Sequence, residues 1–335
     1  MENAQWIGVV WWDGETIVNE QTEWSDIPAR VISTLSAQAA YTPKLAGGGT
    51  QSYSMSKLPP EYQNFAEVFG QEAQSALPEH GDHDMRIELE PGKILPSGRL
   101  YPLSRDELEL LKEYLEEMVR NGKIRPRKGR AGAPIFFAKQ PNGKLRIVVD
   151  YWGLNAITIK DKYPVPLMTT LVEQVASAKI FTKLDLKSGF NLIRIAEGDE
   201  WKTAFTCRYR LFEYMVMPFG LSNAPATFQR YINNVLQEYI DRGIVVYIDD
   251  IIIYTETLEE HIKLVRWVLE RLAEKHLCVN LEKSEFHIPE VMFCGYVVGQ
   301  TEVKMAENKV KEILEWSTPR NKKEVQSFLG FTNFY

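Results

Sequence analysis

Two carboxylates stand side by side inside an otherwise apolar run, Val245-Val246-Tyr247-Ile248-Asp249-Asp250-Ile251-Ile252-Ile253-Tyr254. Burying one unpaired carboxylate is costly, and two adjacent ones also repel each other. The pair therefore either caps a hairpin tip facing solvent or is compensated by a cation. Magnesium suits such a place, because it takes carboxylate oxygens together with substrate phosphates. A second candidate is Asp185, at the end of the alternating run Phe181-Thr182-Lys183-Leu184 and followed by Leu186-Lys187-Ser188-Gly189-Phe190. Alone, an aspartate at a strand end is an ordinary turn former, although sites on sheets do gather at strand ends. Together, Asp185 and the 249–250 pair have the makings of a two-metal centre, in which carboxylates hold two ions about 3.5–4 Å apart. In nucleotidyl transfer such a centre activates a primer 3′-hydroxyl and holds a triphosphate with its leaving pyrophosphate. The spacing permits it if the two strands are neighbours in one sheet.

The surrounding elements can be read from capping and periodicity. Ser104 and Glu107 form a capping box ahead of Leu108, Leu111, Leu115, Met118 and Val119, and Gly122 ends that helix. Strands follow over 133–139 and 145–150, joined at Pro141-Asn142-Gly143, where Asn-Gly favours a tight hairpin. Pro164 and Pro166 open a helix with Leu167, Leu171, Val172 and Val175 on its apolar face. A strand over 179–184 runs into Asp185, and Asn223-Ala224-Pro225 starts a helix carrying Phe228, Ile232, Val235 and Ile240. Two apolar strands over 244–254 meet at the aspartate pair. Thr257 with Glu260 opens a helix to about His276, and Asn321 with Glu324 opens a last one with Val325, Phe328 and Leu329.

The chain of 335 residues is 44% hydrophobic, enough for two or three subdomains. Its net charge of −6 argues at first against a nucleic-acid partner. The distribution argues otherwise: residues 120–210 hold 18 Lys+Arg against 7 Asp+Glu, a net of +11, and the remainder holds 21 against 38, a net of −17. A basic middle between acidic flanks is either a solvated face or the footprint of a phosphate-binding groove. Cys207, Cys278 and Cys294 fit neither a zinc site nor a disulfide framework, and read as buried thiols in a reducing compartment. No signal peptide opens the chain, and no apolar stretch reaches the roughly 18 residues of a membrane span. An intracellular, cytoplasmic protein with no membrane partner is expected.

Taken in order, several blocks resemble the reverse transcriptase of gypsy-type long-terminal-repeat retrotransposons. They are Ile135-Phe136-Phe137, Leu145-Arg146, Val148-Val149-Asp150-Tyr151, Gly153-Leu154-Asn155, Leu184-Asp185-Leu186-Lys187-Ser188-Gly189 and Trp201-Lys202-Thr203-Ala204-Phe205. Met217-Pro218-Phe219-Gly220-Leu221, Asn223-Ala224-Pro225-Ala226-Thr227-Phe228-Gln229, Tyr247-Ile248-Asp249-Asp250, Gly295-Tyr296 and Glu324-Val325-Gln326-Ser327-Phe328-Leu329-Gly330-Phe331 continue the series. The resemblance implies an α+β right-hand polymerase of fingers, palm and partial thumb, with an antiparallel palm sheet backed by helices. It implies catalysis at Asp185, Asp249 and Asp250, which would hold two Mg2+ ions (or Mn2+), with Asp185 and Asp249 the main ligands and Leu186 adding a carbonyl. It implies that Arg146 and Lys139 contact an incoming deoxynucleoside triphosphate, that Phe190 lies beneath its sugar, and that Phe219 and Gly220 line its pocket. Phe293, Gly295 and Tyr296 match the hairpin that grips the primer end, although apolar residues there could equally be core.

The same resemblance divides the chain into a spacer over 1–56, an extended arm over 57–100 and fingers over 101–178 with a further segment near 200–215. The palm with its primer grip follows over 179–298, and a truncated thumb or connection over 299–335. It implies an RNA or DNA template with its primer as partner, and ribonuclease H, integrase and protease regions of one polyprotein, housed in virus-like particles where the element is active. Three departures stand out: Trp152 where arginine is usual, Gln140-Pro141 within a usual lysine run, and Cys294 in place of leucine. Two other readings share these residues, a folded fragment that binds nucleic acid but polymerises poorly and a different two-metal nucleotidyl enzyme such as a cyclase.

Overall fold

The expected spacer contains a two-residue ladder, β1 (Trp11–Trp12) against β2 (Ile17–Val18). The computed structural model otherwise describes residues 57–332, apart from 71–76, 130, 140–144, 165, 177, 188 and 301. The arm begins with a 3-10 helix, Pro60–Phe69, that buries Tyr62, Phe65, Val68 and Phe69.

Helix α1 (Arg105–Arg120) starts on the expected reciprocal cap: Glu107 N–H donates to Ser104 Oγ at 3.3 Å, and Ser104 N–H to the Glu107 carboxylate at 2.7 Å. Its buried stripe is Leu111, Tyr114, Leu115 and Met118, whereas Val119 falls off that stripe and is exposed. Five strands follow as one sheet in the order β3-β8-β7-β4-β5: β3 (Ile124–Pro126), β4 (Ala133–Lys139), β5 (Leu145–Val149), β7 (Phe205–Thr206) and β8 (Leu211–Tyr214). All its pairs are antiparallel except β4 with β7. The hairpin of β4 and β5 forms as expected, while its Asn142-Gly143 turn lies outside the described residues. Two short helices come next, α2 (Trp152–Ile157) and α3 (Met168–Val175). Pro164 and Pro166 precede α3 rather than open it, and Leu167 is its exposed N-cap.

The sheet that positions the aspartates has the order β11-β6-β10-β9 and is wholly antiparallel. Its strands are β6 (Ile180–Asp185), β9 (Ile244–Tyr247), β10 (Asp250–Thr255) and β11 (Glu285–Ile288). Side chains alternate between its faces. Leu184, Ile251, Ile253 and Val246 enter the main core with Val265, Val268 and Leu269 of α5 (Leu258–Glu274) and Phe228 and Ile232 of α4 (Ala224–Val235). Phe181, Val245 and Ile252 enter a second core with Leu171, Val172 and Val175 of α3. Both faces are thus buried along most of the sheet, and each such side chain contributes roughly 1.5–3 kcal/mol. A one-residue slip would exchange the two sets, so the register is strongly specified. Helix α4 ends at Val235, so Ile240 lies beyond it, in a bridge with Ile244.

A three-stranded antiparallel sheet, β12 (Glu290–Phe293), β13 (Tyr296–Gly299) and β14 (Val303–Met305), closes the second core. Helices α6 (Glu307–Leu314) and α7 (Lys322–Thr332) follow, the latter capped by Asn321, which accepts from Glu324 N–H at 2.9 Å. Mixed α and β elements with largely antiparallel sheets match the expected fold class. Among the described residues no helix is long and apolar enough to cross a membrane.

Candidate active site

Strand register brings the separated aspartates together. Asp185, last in β6, lies directly opposite Asp250, first in β10. Opposite residues of an antiparallel pair share a face, with Cβ atoms roughly 4.5–5.5 Å apart. Asp249 sits on the turn between β9 and β10, and its carbonyl accepts from Leu186 N–H at 2.9 Å. That bond ties the end of one aspartate strand to the turn of the other. Asp185 is held from its other side as well: its carbonyl accepts from Asn280 N–H at 2.8 Å, and its own N–H donates to Ser284 Oγ at 3.3 Å.

The electrostatics follow from this crowding. Burial first, and then the charges of Asp185 and Asp250, push the Asp249 carboxyl up to about 7 against the opposing pull of Lys283. Asp249 Oδ1 is buried with no hydrogen-bond partner among the described residues. Burial also raises Asp185, opposed chiefly by Lys283 and reinforced by Asp250. Lys283 stands 3.6 Å from Asp185, and Lys183 stands 3.0 Å from Asp250. The three carboxylates are adjacent without being gathered into a ready cation-binding cluster, and the described residues hold no such cluster elsewhere. Their chemistry fits hard divalent ions: oxygen donors only, excess negative charge, and one buried oxygen without a partner.

A residue without an assigned role in the sequence holds the turn in shape. Gln229 of α4 is fully buried; its Oε1 accepts from Ile248 N–H at 2.8 Å, and its Nε2 donates to the Val246 carbonyl at 3.1 Å. Ile248 has a φ of 53°, a left-handed conformation disfavoured for a β-branched residue. The amide of Gln229 therefore secures a strained turn directly before Asp249. Its signals in the sequence were its place in the block Asn223–Gln229 and a polar side chain on the apolar stripe of a helix, beside Phe228 and Ile232.

The expected nucleotide residues also cluster. Phe190 is buried, with its ring centroid 4.8 Å from Phe219 and 5.2 Å from Phe228. Arg146 lies over Phe219 at 6.0 Å. It is 1% exposed, and its three guanidinium nitrogens are without partners among the described residues. Burial lowers its pKa to about 10. Gly220 has a φ of 94°, where glycine is favoured, and its carbonyl accepts from Asn155 Nδ2 at 2.8 Å. Asn155 Oδ1 accepts in turn from Ser222 N–H at 2.9 Å, so this one side chain clamps the turn after Phe219. Leu186 is buried beside the aspartates, whereas Lys139 is exposed at the end of β4, next to undescribed residues.

The hairpin of β12 and β13 is divided. Phe293 is fully buried in the second core, 6.5 Å from the Tyr247 ring, which is the core placement that the sequence left open beside a primer contact. By strand alternation Met292, next to it, is the exposed residue. Cys294 and Gly295 turn the hairpin with φ of 51° and 85°, and Tyr296 is half-buried after them. A cleft of about 220 Å³ lies elsewhere, lined by Tyr101, Asp150, Trp152 and Trp201 among others and by none of the three aspartates.

The family described as reverse transcriptase (RNA-dependent DNA polymerase) matches residues 137–332. The Tf2-3 transposon polyprotein of Schizosaccharomyces pombe is 36% identical over 279 residues, which cover 83% of this chain and 21% of that polyprotein. The chain thus spans about a fifth of the length of the curated relatives it matches. Among solved structures, the foamy viral protease-reverse transcriptase in complex with an RNA/DNA hybrid superposes with a TM-score of 0.68 at 26% identity, covering 82% of this chain and 36% of that one. The same protein in complex with double-stranded DNA gives a TM-score of 0.69 at 27% identity, covering 82% and 57% respectively.

Proposed function

The chain belongs to the reverse transcriptase family, and from that membership we propose that it is the polymerising portion of a long-terminal-repeat retrotransposon polyprotein, extending a primer along an RNA or DNA template. The observation that carries the proposal is the register setting Asp185 opposite Asp250, with the partnerless Asp249 oxygen on the turn between. Asp185 and Asp249 would hold two divalent ions, Mg2+ in the first place and Mn2+ as a substitute. Such ions, when bound, lower the pKa of a primer hydroxyl and neutralise a triphosphate.

The remaining residues bind and orient. A buried guanidinium without partners is costly, and a triphosphate would supply the oxygens that Arg146 lacks. Phe219 supports Arg146 on one side and Phe190 on the other, so triphosphate and sugar would be located by one packed group. The basic segment over 120–210 would hold the backbones of template and primer. Because the relatives are polyproteins and the structural neighbours join a protease to the polymerase, ribonuclease H, integrase and protease regions are the proposed companions.

Primer extension with deoxynucleoside triphosphates tests the reading. The wild-type chain should extend a primer on RNA and on DNA, and Asp249→Asn should abolish extension while keeping the circular dichroism spectrum. Extension by folded Asp249→Asn at the wild-type rate would overturn the assignment.

A further inference from the structure

The three aspartates meet positive charge in three different ways. Asp249 Oδ1 has no hydrogen-bond partner among the described residues, and Lys283 acts on that carboxyl only through space. Asp185 faces Lys283 at 3.6 Å, and that lysine side chain is 66% exposed. An ammonium so solvated is a loose counterion that an arriving metal displaces at little cost. Asp250 faces Lys183 at 3.0 Å, and this lysine side chain is only 18% exposed. Lys183 also donates to the Met292 carbonyl at 3.2 Å. Mostly withdrawn from water and shared by two acceptors, its charge cannot leave without stranding a partner.

Placement makes this contrast consequential. Lys183 lies two residues before Asp185 in β6, on the same face, and Asp250 lies directly across from Asp185. The fixed ammonium therefore flanks the position where ions would bind. Resting on the two-metal reading above, we propose that Lys183 is a positioning residue that keeps Asp250 out of the metal-ligand set and fastens the aspartate turn to the β12–β13 hairpin through Met292. Asp185 and Asp249 are then the ligands, and Asp250 is the anchor by which that hairpin is held in register with them. The same fixed charge weakens binding of a bare ion.

Mn2+ binding to the full chain, without nucleic acid or nucleotide and with free ion followed by electron paramagnetic resonance, tests this apart from catalysis. Lys183→Met should bind Mn2+ roughly tenfold more tightly, since a unit charge within several ångströms of a divalent ion is removed. Lys183→Arg should keep wild-type affinity. The double variant Lys183→Met with Asp250→Asn removes a neutral pair, a change that folding tolerates well, and should stay within about threefold of wild type. Structural damage would weaken binding, so a gain in Lys183→Met is not a trivial outcome. The proposal is overturned if folded Lys183→Met binds no more tightly than wild type, or if the double variant loses binding as Asp249→Asn does. If Lys183→Met does not fold, the double variant alone decides. Absence of Mn2+ binding by the wild-type chain would instead remove the two-metal reading, and this proposal with it.

Discussion

Acid should loosen this protein through one histidine behind the aspartate sheet. His261 of α5 is fully buried; its Nε2 is 2.7 Å from Thr182 Oγ1 of β6 and its Nδ1 is 2.9 Å from Thr255 Oγ1 of β10. Hydroxyls donate or accept as needed, so a neutral imidazole is satisfied at both nitrogens. A charged one is not: burial first, and His287 second, lower the pKa from 6.5 to about 4. The folded value lies below the unfolded one, so the unfolded chain takes up the proton first as pH falls. The contribution is complete above about pH 6.5 and is lost on the way down to about 4. Taken over the whole gap it amounts to about 3 kcal/mol, of which about 2 kcal/mol is lost by pH 5. That is a large share of the roughly 5–15 kcal/mol that holds a typical domain. The raised carboxyls of Asp249 and Asp185 work in the opposite direction, since there the folded state takes up the proton first. The informative quantity is therefore a difference between two proteins. His261→Gln keeps a donor and an acceptor for the two threonines and removes the titration. Urea unfolding followed by tryptophan fluorescence at about pH 7.5 and about pH 5 should show the wild type losing about 2 kcal/mol more than the variant. Equal losses in the two proteins would refute the reasoning.

Three further outcomes are expected. Gln229→Leu strands Ile248 N–H and the Val246 carbonyl, and should lower stability by about 1–3 kcal/mol in urea titrations while reducing primer extension. Gly189→Ala places a methyl 2.3 Å from the Phe228 ring, whose side chain is fully buried, and should lower the thermal midpoint, with an overpacking cost of about 1–3 kcal/mol; an unchanged midpoint would mean that Phe228 can yield. Phe190→Ala should admit ribonucleotides in a competition assay at the site of Asp185 chemistry, and should also lose about 3–5 kcal/mol of stability because that ring fills the core between Phe219 and Phe228. Unchanged sugar discrimination in an active variant would rule Phe190 out as the gate.

Local rules made much of the fold legible. The Ser104–Glu107 box, most of the apolar stripe of α1 and the turn at Asp249 are consequences of neighbours within a few residues, and they appear where periodicity and capping put them. Boundaries failed where a local signal was ambiguous. Prolines 164 and 166 were compatible with opening a helix, yet α3 begins only after Leu167. Ile240 continued a helical apolar pattern but serves a bridge instead. Phe293 shows a different limit, since alternation fixes that neighbouring side chains oppose each other without saying which of the two faces the core.

The aspartate site depends on information of longer range. Asp185 and Asp250 are separated by 65 residues, and only the register of β6 against β10 makes them opposites. Sequence could name the carboxylates because acids in apolar surroundings demand an explanation. It could not name their supports, because Gln229 and Lys183 look ordinary where they stand. Lys183 reads as the polar member of an alternating strand, which implies solvent. Alternation is respected, yet the face it selects is covered: Met292, 109 residues away in sequence, brings a carbonyl over it. A lysine there is enclosed between an acid and a carbonyl rather than released to water, and its charge becomes a fixed part of the field in which any metal must bind. That difference between a solvated and an enclosed ammonium separates Lys283 from Lys183, and it exists only once the β12–β13 hairpin has folded onto the sheet.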